Sequence, residues 1–521
     1  MVAAIDHLAA GAGVEMLRRG ASAADAAIAT SAVLAVTSQH LCGMGGDLWA
    51  VVHPGPGQEP VALNASGRAG GGADPERLRR AGHRAVPSTL DPAAVPVPGC
   101  VDGWTALHER FGRLPLADLL EPARRYAVEG FPASPGLVAS LPRVVALPEA
   151  GDYRTPEPLV PGALVRRPGV GRALADIARG GRHAFYGGEF GAGLLTVGAG
   201  EYVEADLARS QADWVTPLQV EAWGQRIWTA PPNSQGYLTL AGAWIAAGLD
   251  LPVDPADPVW AHLLIESARQ AAHDRLAELH EGADGQALLH PSRLGPRRAA
   301  IDRDRAAVLG LPAGAGDTIA LCTVDGDRQG VSLIQSNASG WGSGLIVPGV
   351  RIFLHNRGQG FSLEPGHPAE YGPGRRPPHT LSPTVVTSLD GRHLRATLGT
   401  MGGDGQPQIL LQLLARVLHG HEDPGEAVAA GRFSLSGPHG PDGLPTGDGF
   451  DTWRQRGRVG VRLEGQVPPA WAAGLAARGH DVVVDDRWSA GFGHAHFIDV
   501  GAEVLTGGSD PRPLAGAVEG W

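Results

Sequence analysis

Lysine is absent from this chain: all 43 of its basic residues are arginine. That removes every chemistry that needs an ε-ammonium group. A Schiff-base lysine, and with it pyridoxal-type catalysis, is excluded. So is a phosphate-binding loop that ends in lysine. Cysteine is scarce as well. Cys42, Cys100 and Cys322 are widely spaced and form no Cys-x-x-Cys pair, so neither a disulfide framework nor a zinc site is signalled. No run of about 18 apolar residues suggests a membrane span. The segment Met1 to His7 lacks the basic and apolar regions of a signal peptide, and the expected location is the cytoplasm. A net charge of −11 without lysine-rich tracts makes a poor nucleic-acid binder.

What the chain does hold is glycine and proline, 76 and 43 residues, in a sequence otherwise ordinary for a folded protein at 43% apolar and 19% charged. That combination predicts a loop-rich globular chain. Periodicity predicts helices over 7–19 and from Ala23 to about Val36, the second capped by Ser22. Helices are also expected within 100–130, over 259–282, from Gln408 to Leu418 and over 469–478. Alternating runs predict strands at 48–53, 319–325, 331–336, 383–388, 394–399, 482–485 and 494–500. Residues 140–200 are too broken by proline and glycine to assign, and 283–316 read as a connection. Helices first, then strands, then mixed elements fit an α+β chain with sheets between helical layers.

One segment carries chemistry. Gly316-Asp317-Thr318-Ile319-Ala320-Leu321 passes from a loop into an alternating strand, turns at Asp325-Gly326-Asp327 and returns through Gly330 to Asn337. A threonine at the first position of a strand is where a self-cleaving chain would place a new N-terminus. Such a residue owns a hydroxyl nucleophile and, once freed, an α-amino base. Taken alone, the pattern also describes an ordinary strand threonine.

The wider sequence resembles the γ-glutamyltransferase family of N-terminal-nucleophile hydrolases, with motifs in the same order from end to end. They include Pro98-Gly99-Cys100-Val101-Asp102-Gly103, Phe111-Gly112-Arg113-Leu114-Pro115 and Glu129-Gly130-Phe131-Pro132. Further on come Pro231-Pro232-Asn233-Ser234-Gln235-Gly236, His262-Leu263-Leu264-Ile265-Glu266 with Asp274-Arg275, and Gly507-Gly508-Ser509-Asp510-Pro511-Arg512. The resemblance implies a four-layer αββα sandwich. It implies cleavage between Asp317 and Thr318, giving a large subunit 1–317 and a small subunit 318–521 from one precursor, with pairing into a dimer left open. Thr318 is then the nucleophile, and Ser336 the helper that bonds its amino group. Gly402 and Gly403, in Gly399-Thr400-Met401-Gly402-Gly403-Asp404, form the oxyanion hole. No cofactor and no metal are implied. His494-Ala495-His496 and His419-Gly420-His421 read as structural, and Glu266 and Asp274 as partners for Arg269 or Arg275.

The departures from the family pattern sit at the substrate. Ser66 stands where glutamyl-specific members have arginine, with Arg68 two residues on. His379-Thr380 replaces a serine pair, and Gly360 replaces the acidic residue that holds the substrate ammonium, with Arg357 three residues before it. Ala338 takes the place of an asparagine, although Asn337 is adjacent. A buried ammonium needs a carboxylate partner, whereas arginines suit carboxylates and α-keto acids. The expected partner is therefore a small molecule carrying a carboxylate, with no nucleic acid and no membrane. Arg68, Asn337, Arg357, His379 and Thr380 are the candidate substrate-binding residues. These changes resemble the divergent branch that includes acylases, oxamate amidohydrolase-like enzymes and the C–C-cleaving homologues of alkylproline (antibiotic) biosynthesis. Two alternatives stay open: a true γ-glutamyl transpeptidase or glutathione hydrolase, and a catalytically dead binding protein on the same fold.

Overall fold

The alternating residues of Ile319–Val324 go to two different cores. Ile319 and Leu321 pack against helices, whereas Ala320, Cys322 and Val324 face a second sheet. A strand buried on both faces belongs in an inner layer. The computed structural model describes residues 1–307, 318–436 and 460–521, and in it two antiparallel sheets lie face to face between two helical layers.

The strands of the two sheets are β1 (Val2–Ala4), β2 (Asp47–His53), β3 (Val61–Ala65), β4 (Asp213–Val215), β5 (Leu218–Ala222) and β6 (Gln225–Thr229). They continue with β7 (Ile319–Val324), β8 (Gly330–Ser336), β9 (Thr384–Thr387), β10 (Leu394–Thr400), β11 (Ala495–Val500), β12 (Leu505–Ser509) and β13 (Ala517–Glu519). The first sheet runs β13-β1-β7-β8-β2-β3-β4 and the second β12-β11-β10-β9-β6-β5. Trp49, Val51, Ala320, Ile334, Val385 and Ile498 fill the space between them. Ser332 Oγ stitches the sheets by donating to the Leu398 carbonyl at 2.8 Å.

Helices α1 (His7–Arg18), α2 (Ala23–Thr37), α3 (Cys100–Phe111), α4 (Leu116–Glu129) and α5 (Pro168–Tyr186) cover the outer face of the first sheet. The second sheet is covered by α6 (Tyr237–Ala247), α7 (Pro258–Ala272), α8 (Gln406–Leu414) and α9 (Ala470–Ala477). Every residue of alanine-rich α2 is buried, which fits a helix apolar on all sides. Ser22 starts it with a capping box: its hydroxyl accepts from the Asp25 N–H and its own N–H donates to the Asp25 carboxylate. Asp325, in the β7–β8 turn, accepts from the Ala23 N–H at 3.0 Å and so ties that turn to the same helix start.

Two expectations are corrected and one unassigned stretch is resolved. The helix expected over 259–282 ends at Ala272, because Arg275 leaves its line to reach Gln235 and Asp404, while Asp274 turns to Arg293 and Arg297. Residues read as a connection contain helices Gly285–Leu289 and Pro291–Ala299. The unassigned stretch 140–200 contains α5 and the helix Glu189–Val197. In α5 and in Pro291–Ala299 a proline stands in the first turn, where its missing N–H costs nothing.

Candidate active site

Thr318 immediately precedes β7, in the middle of the first sheet. By strand parity it faces the second sheet, as Ala320 does, and Ser336 at the end of β8 faces the same way as Ile334. Both residues are fully buried, and Thr318 Oγ1 lies 3.0 Å from Ser336 Oγ. Gly316 and Asp317, and with them the expected cleavage junction, lie outside the described residues. The sequence led us to expect Ser336 at the amino group of Thr318; the described contact is hydroxyl to hydroxyl.

Beneath this pair Arg357, His379 and Thr380 gather around Asp47, which the sequence pattern did not single out. Arg357 Nη2 donates to Ser336 Oγ at 3.2 Å, Nη1 to Thr380 Oγ1 at 3.0 Å, and Nε to Asp47 Oδ2 at 3.1 Å. His379 Nε2 donates to the same Asp47 oxygen at 2.7 Å, and its Nδ1 accepts from the Leu381 N–H. Those two bonds fix the neutral Nε2–H tautomer. Burial, with Arg357 beside it, lowers the His379 imidazole to about 4. Burial alone would raise the Asp47 carboxyl, but the facing His379 and Arg357 hold it well below the usual carboxylate range. His355 Nδ1 stands 3.4 Å from the same oxygen, with its Nε2 on the Pro96 carbonyl. The only sequence signal for Asp47 was its place at the end of the glycine-rich turn Cys42-Gly43-Met44-Gly45-Gly46-Asp47.

A cavity of about 490 Å³ opens on the far side of Arg357 and Thr380. Arg275, Asp404 and Gly360 also line it, and Arg84, Leu276, Leu363 and Pro378 extend it. A Cβ at Gly360 would come 2.7 Å from the Pro378 carbonyl oxygen, so an aspartate does not fit there without a backbone shift. Asp404 is already paired with Arg275 at 2.7 Å.

The other expected substrate residues are placed differently. Arg68 is committed to Asp213 at 2.6 Å, which Arg376 also reaches at 2.9 Å. His379 is fully buried and serves Asp47 from below. Asn337 donates to the Gln39 carbonyl and braces the loop after α2. Arg357 and Thr380 are thus the two candidates at the cavity wall. Gly402 and Gly403 have φ of 148° and 51°, a backbone that favours glycine. They join the site through Gln235, whose Nε2 donates to the carbonyls of both Thr380 and Gly403. Ala338 also has a positive φ, 73°, a conformation asparagine adopts more readily than alanine. Its N–H donates to Ser336 Oγ at 2.8 Å.

The sequence model of the gamma-glutamyltranspeptidase family matches residues 9–520. The chain belongs to that family. It is an N-terminal-nucleophile hydrolase, as the αββα layers already indicate. An oxamate amidohydrolase proenzyme of Klebsiella pneumoniae is 33% identical over 542 aligned residues, covering 100% of this chain and 98% of that one. A glutathione hydrolase-like proenzyme of Bacillus subtilis is 32% identical, covering 99% and 98%. The solved cephalosporin acylase of Bacillus halodurans superposes with a TM-score of 0.87 at 31% identity, covering 100% of this chain and 95% of that one.

Elsewhere in this gamma-glutamyltranspeptidase-family fold, His262, Glu266 and His480 lie together in the metal-ligand manner. Their donor atoms are spent on protein instead. The two rings meet Nδ1 to Nε2 at 2.8 Å, and Glu266 takes Arg269 at 2.5 Å and the Ala307 N–H at 3.0 Å. A cation already inside the cluster opposes a second one. Among the described residues, no helix is long and apolar enough to cross a membrane.

Proposed function

We propose that the chain is a self-processing threonine hydrolase that cleaves an amide or C–C bond at an acyl carbon of a small anionic substrate, through an acyl–Thr318 intermediate. The observation that carries this reading is the 3.0 Å contact between Thr318 Oγ1 and Ser336 Oγ, one guanidinium away from the cavity. Self-processing needs no cofactor. Thr318 Oγ attacks the carbonyl carbon of Asp317; the C–O bond forms, the C–N bond breaks, and the hydroxyl proton ends on the released amine. One water then opens the ester, leaving a carboxylate on Asp317 and restoring the Thr318 hydroxyl. The freed α-amino group, with a reference pKa of about 7.7–8.0, is partly neutral near pH 7 and accepts the Oγ proton in later cycles. Gly402 and Gly403 would supply backbone N–H groups to the acyl oxyanion.

Charge supports the substrate class. Arg357 reaches the cavity wall, an aspartate at Gly360 would need a backbone shift, Asp404 is paired with Arg275, and the remaining carboxylate of the described lining, Glu364, is exposed to solvent. An acyl group with a carboxylate beside its scissile carbonyl, as in oxamate, fits such a wall better than the ammonium of a γ-glutamyl group. The deciding experiment is intact-mass spectrometry of purified protein. Wild type is expected as two polypeptides, the second beginning at Thr318, and Thr318→Ala as one chain of 521 residues. A wild-type protein that stays whole after long incubation favours a binding protein on this fold and overturns the reading.

A further inference from the structure

Two donors converge on Ser336 Oγ. It accepts from the Ala338 N–H at 2.8 Å and from Arg357 Nη2 at 3.2 Å, and it lies 3.0 Å from Thr318 Oγ1, where either oxygen can donate. Once Thr318 Oγ1 gives up its proton, Ser336 is the one of the two hydroxyls that still has a proton to donate. Arg357 is aimed in turn. It is 3% exposed, and its Nε and Nη1 are held by Asp47 and Thr380 while Nη2 meets Ser336. Asp47 lies far away in sequence, on β2, yet β2 pairs with β8 so that Asp47 stands opposite Ser336 in register. The sheet itself therefore brings the carboxylate beside the helper serine.

We propose that Asp47 and Arg357 are positioning residues for the nucleophile. The carboxylate fixes the guanidinium, the guanidinium fixes Ser336, and Ser336 holds its hydroxyl at Thr318 Oγ1, placed to donate once that oxygen loses its proton. The inference rests on Thr318 being the nucleophile. Its effect is felt wherever negative charge gathers on that oxygen: as Thr318 loses its proton in attack, and as Oγ leaves the acyl carbon in hydrolysis. A donor already aimed in a buried site stabilises such charge more than water does. No O–H or N–H bond breaks in the chain of donors. Ser336 keeps its proton, Arg357 stays a cation and Asp47 a carboxylate.

A buried ion pair that merely supports the fold would also fail when broken, so the test must separate the two roles. Self-cleavage supplies a rate without a known substrate. Full-length chains made by cell-free synthesis are followed by mass spectrometry for wild type, Asp47→Asn, Asp47→Glu, Arg357→Gln and the Asp47→Asn/Arg357→Gln double variant. Each neutral single variant is expected to slow cleavage about 100-fold, the loss typical of one aimed donor. The double variant is expected to be no slower than the slower single, because groups acting in series fail together. Asp47→Glu should recover part of the rate.

The pH profile adds a readout that a purely structural pair would not move. The titratable and charged groups facing Asp47 among the described residues are Arg357, His379 and His355, with the Cys100 thiol from α3 also sensing its charge. Without the guanidinium the buried Asp47 carboxyl is held down less, by His379 and His355, so the Arg357→Gln rate falls off at a higher pH than that of wild type. Losses that multiply in the double variant, or wild-type cleavage in either neutral single variant, overturn the proposal. If Asp47→Asn yields no folded protein, the charge-balanced double variant decides: slow cleavage supports the proposal and wild-type speed sinks it. A wild-type chain that never cleaves refutes the Thr318 reading itself; a cleaving wild type with indifferent variants refutes only the donor chain.

Discussion

Arg275 Nη2 donates to Asp404 Oδ1 at 2.7 Å, and both side chains are at least nine-tenths buried. One residue follows α7 on the helical layer and the other follows the Gly402-Gly403 turn, so the pair holds that turn against the cavity wall. Removing one partner of a buried pair leaves a charge without its counterion, at a cost of about 3 kcal/mol or more. Asp404→Asn is therefore expected to lower the unfolding free energy by about 3 kcal/mol in urea titration. A loss below about 1 kcal/mol, the range of exposed pairs, would show that the bond is not structural.

Substrate charge gives a second prediction. An ammonium bound beside Arg357 and the paired Asp404, with the solvent-exposed Glu364 as the remaining carboxylate of the described lining, pays desolvation that is only weakly offset. Processed protein is expected to hydrolyse oxamate with a kcat/KM roughly 100-fold above that for γ-glutamyl-p-nitroanilide, a difference near 2.7 kcal/mol. Rapid release of nitroaniline would instead identify a true γ-glutamyl transpeptidase or glutathione hydrolase.

Acid should unfold the protein early. Burial lowers His40 and His480 to about 3, and His379, His494 and His496 to about 4. In the unfolded chain these imidazoles take up protons near pH 6.5, whereas in the fold they stay neutral down to about 4. Between those limits the unfolded state binds more protons, so stability falls as pH falls, by up to about 1.4 kcal/mol per pH unit for each histidine. Asp102, Glu201, Asp325 and Asp499, whose carboxyls burial raises, act in the opposite sense but over a more acidic unfolded reference. Thermal midpoints at pH 7.5, 6 and 5 should decline in that order. Equal midpoints at pH 7.5 and 5 would contradict the buried, neutral histidines.

Much of this was legible in local sequence. Ser22 announced α2, the runs after Thr318 announced β7 and β8, and the pairing of Thr318 with Ser336 follows from two adjacent strands of one hairpin. What stayed hidden depends on contacts between distant segments. Asp47 read as the end of a glycine turn, because nothing local ties β2 to β8. Arg68 looked available beside Ser66 until Asp213, from a different strand, claimed it. His379 looked like a substrate ligand because, with Thr380, it stands where the family has a serine pair; its ring turns inward to Asp47 while Thr380 meets Arg357. Burial of α5 and of the helices before Ala299 overrode the proline and glycine content that suggested loops.

The strand order constrains when a cut before Thr318 could be made. If the chain is cut before Thr318, β1 lies between two strands of the second product, β13 and β7, while β2 borders β8 and β6 borders β9. Neither product could be synthesised alone as a finished body, since each would display long bare sheet edges prone to aggregate. Such a cut would therefore come after folding, and the severed halves would stay laced together by backbone hydrogen bonds. Two genes encoding the halves would not simply replace one.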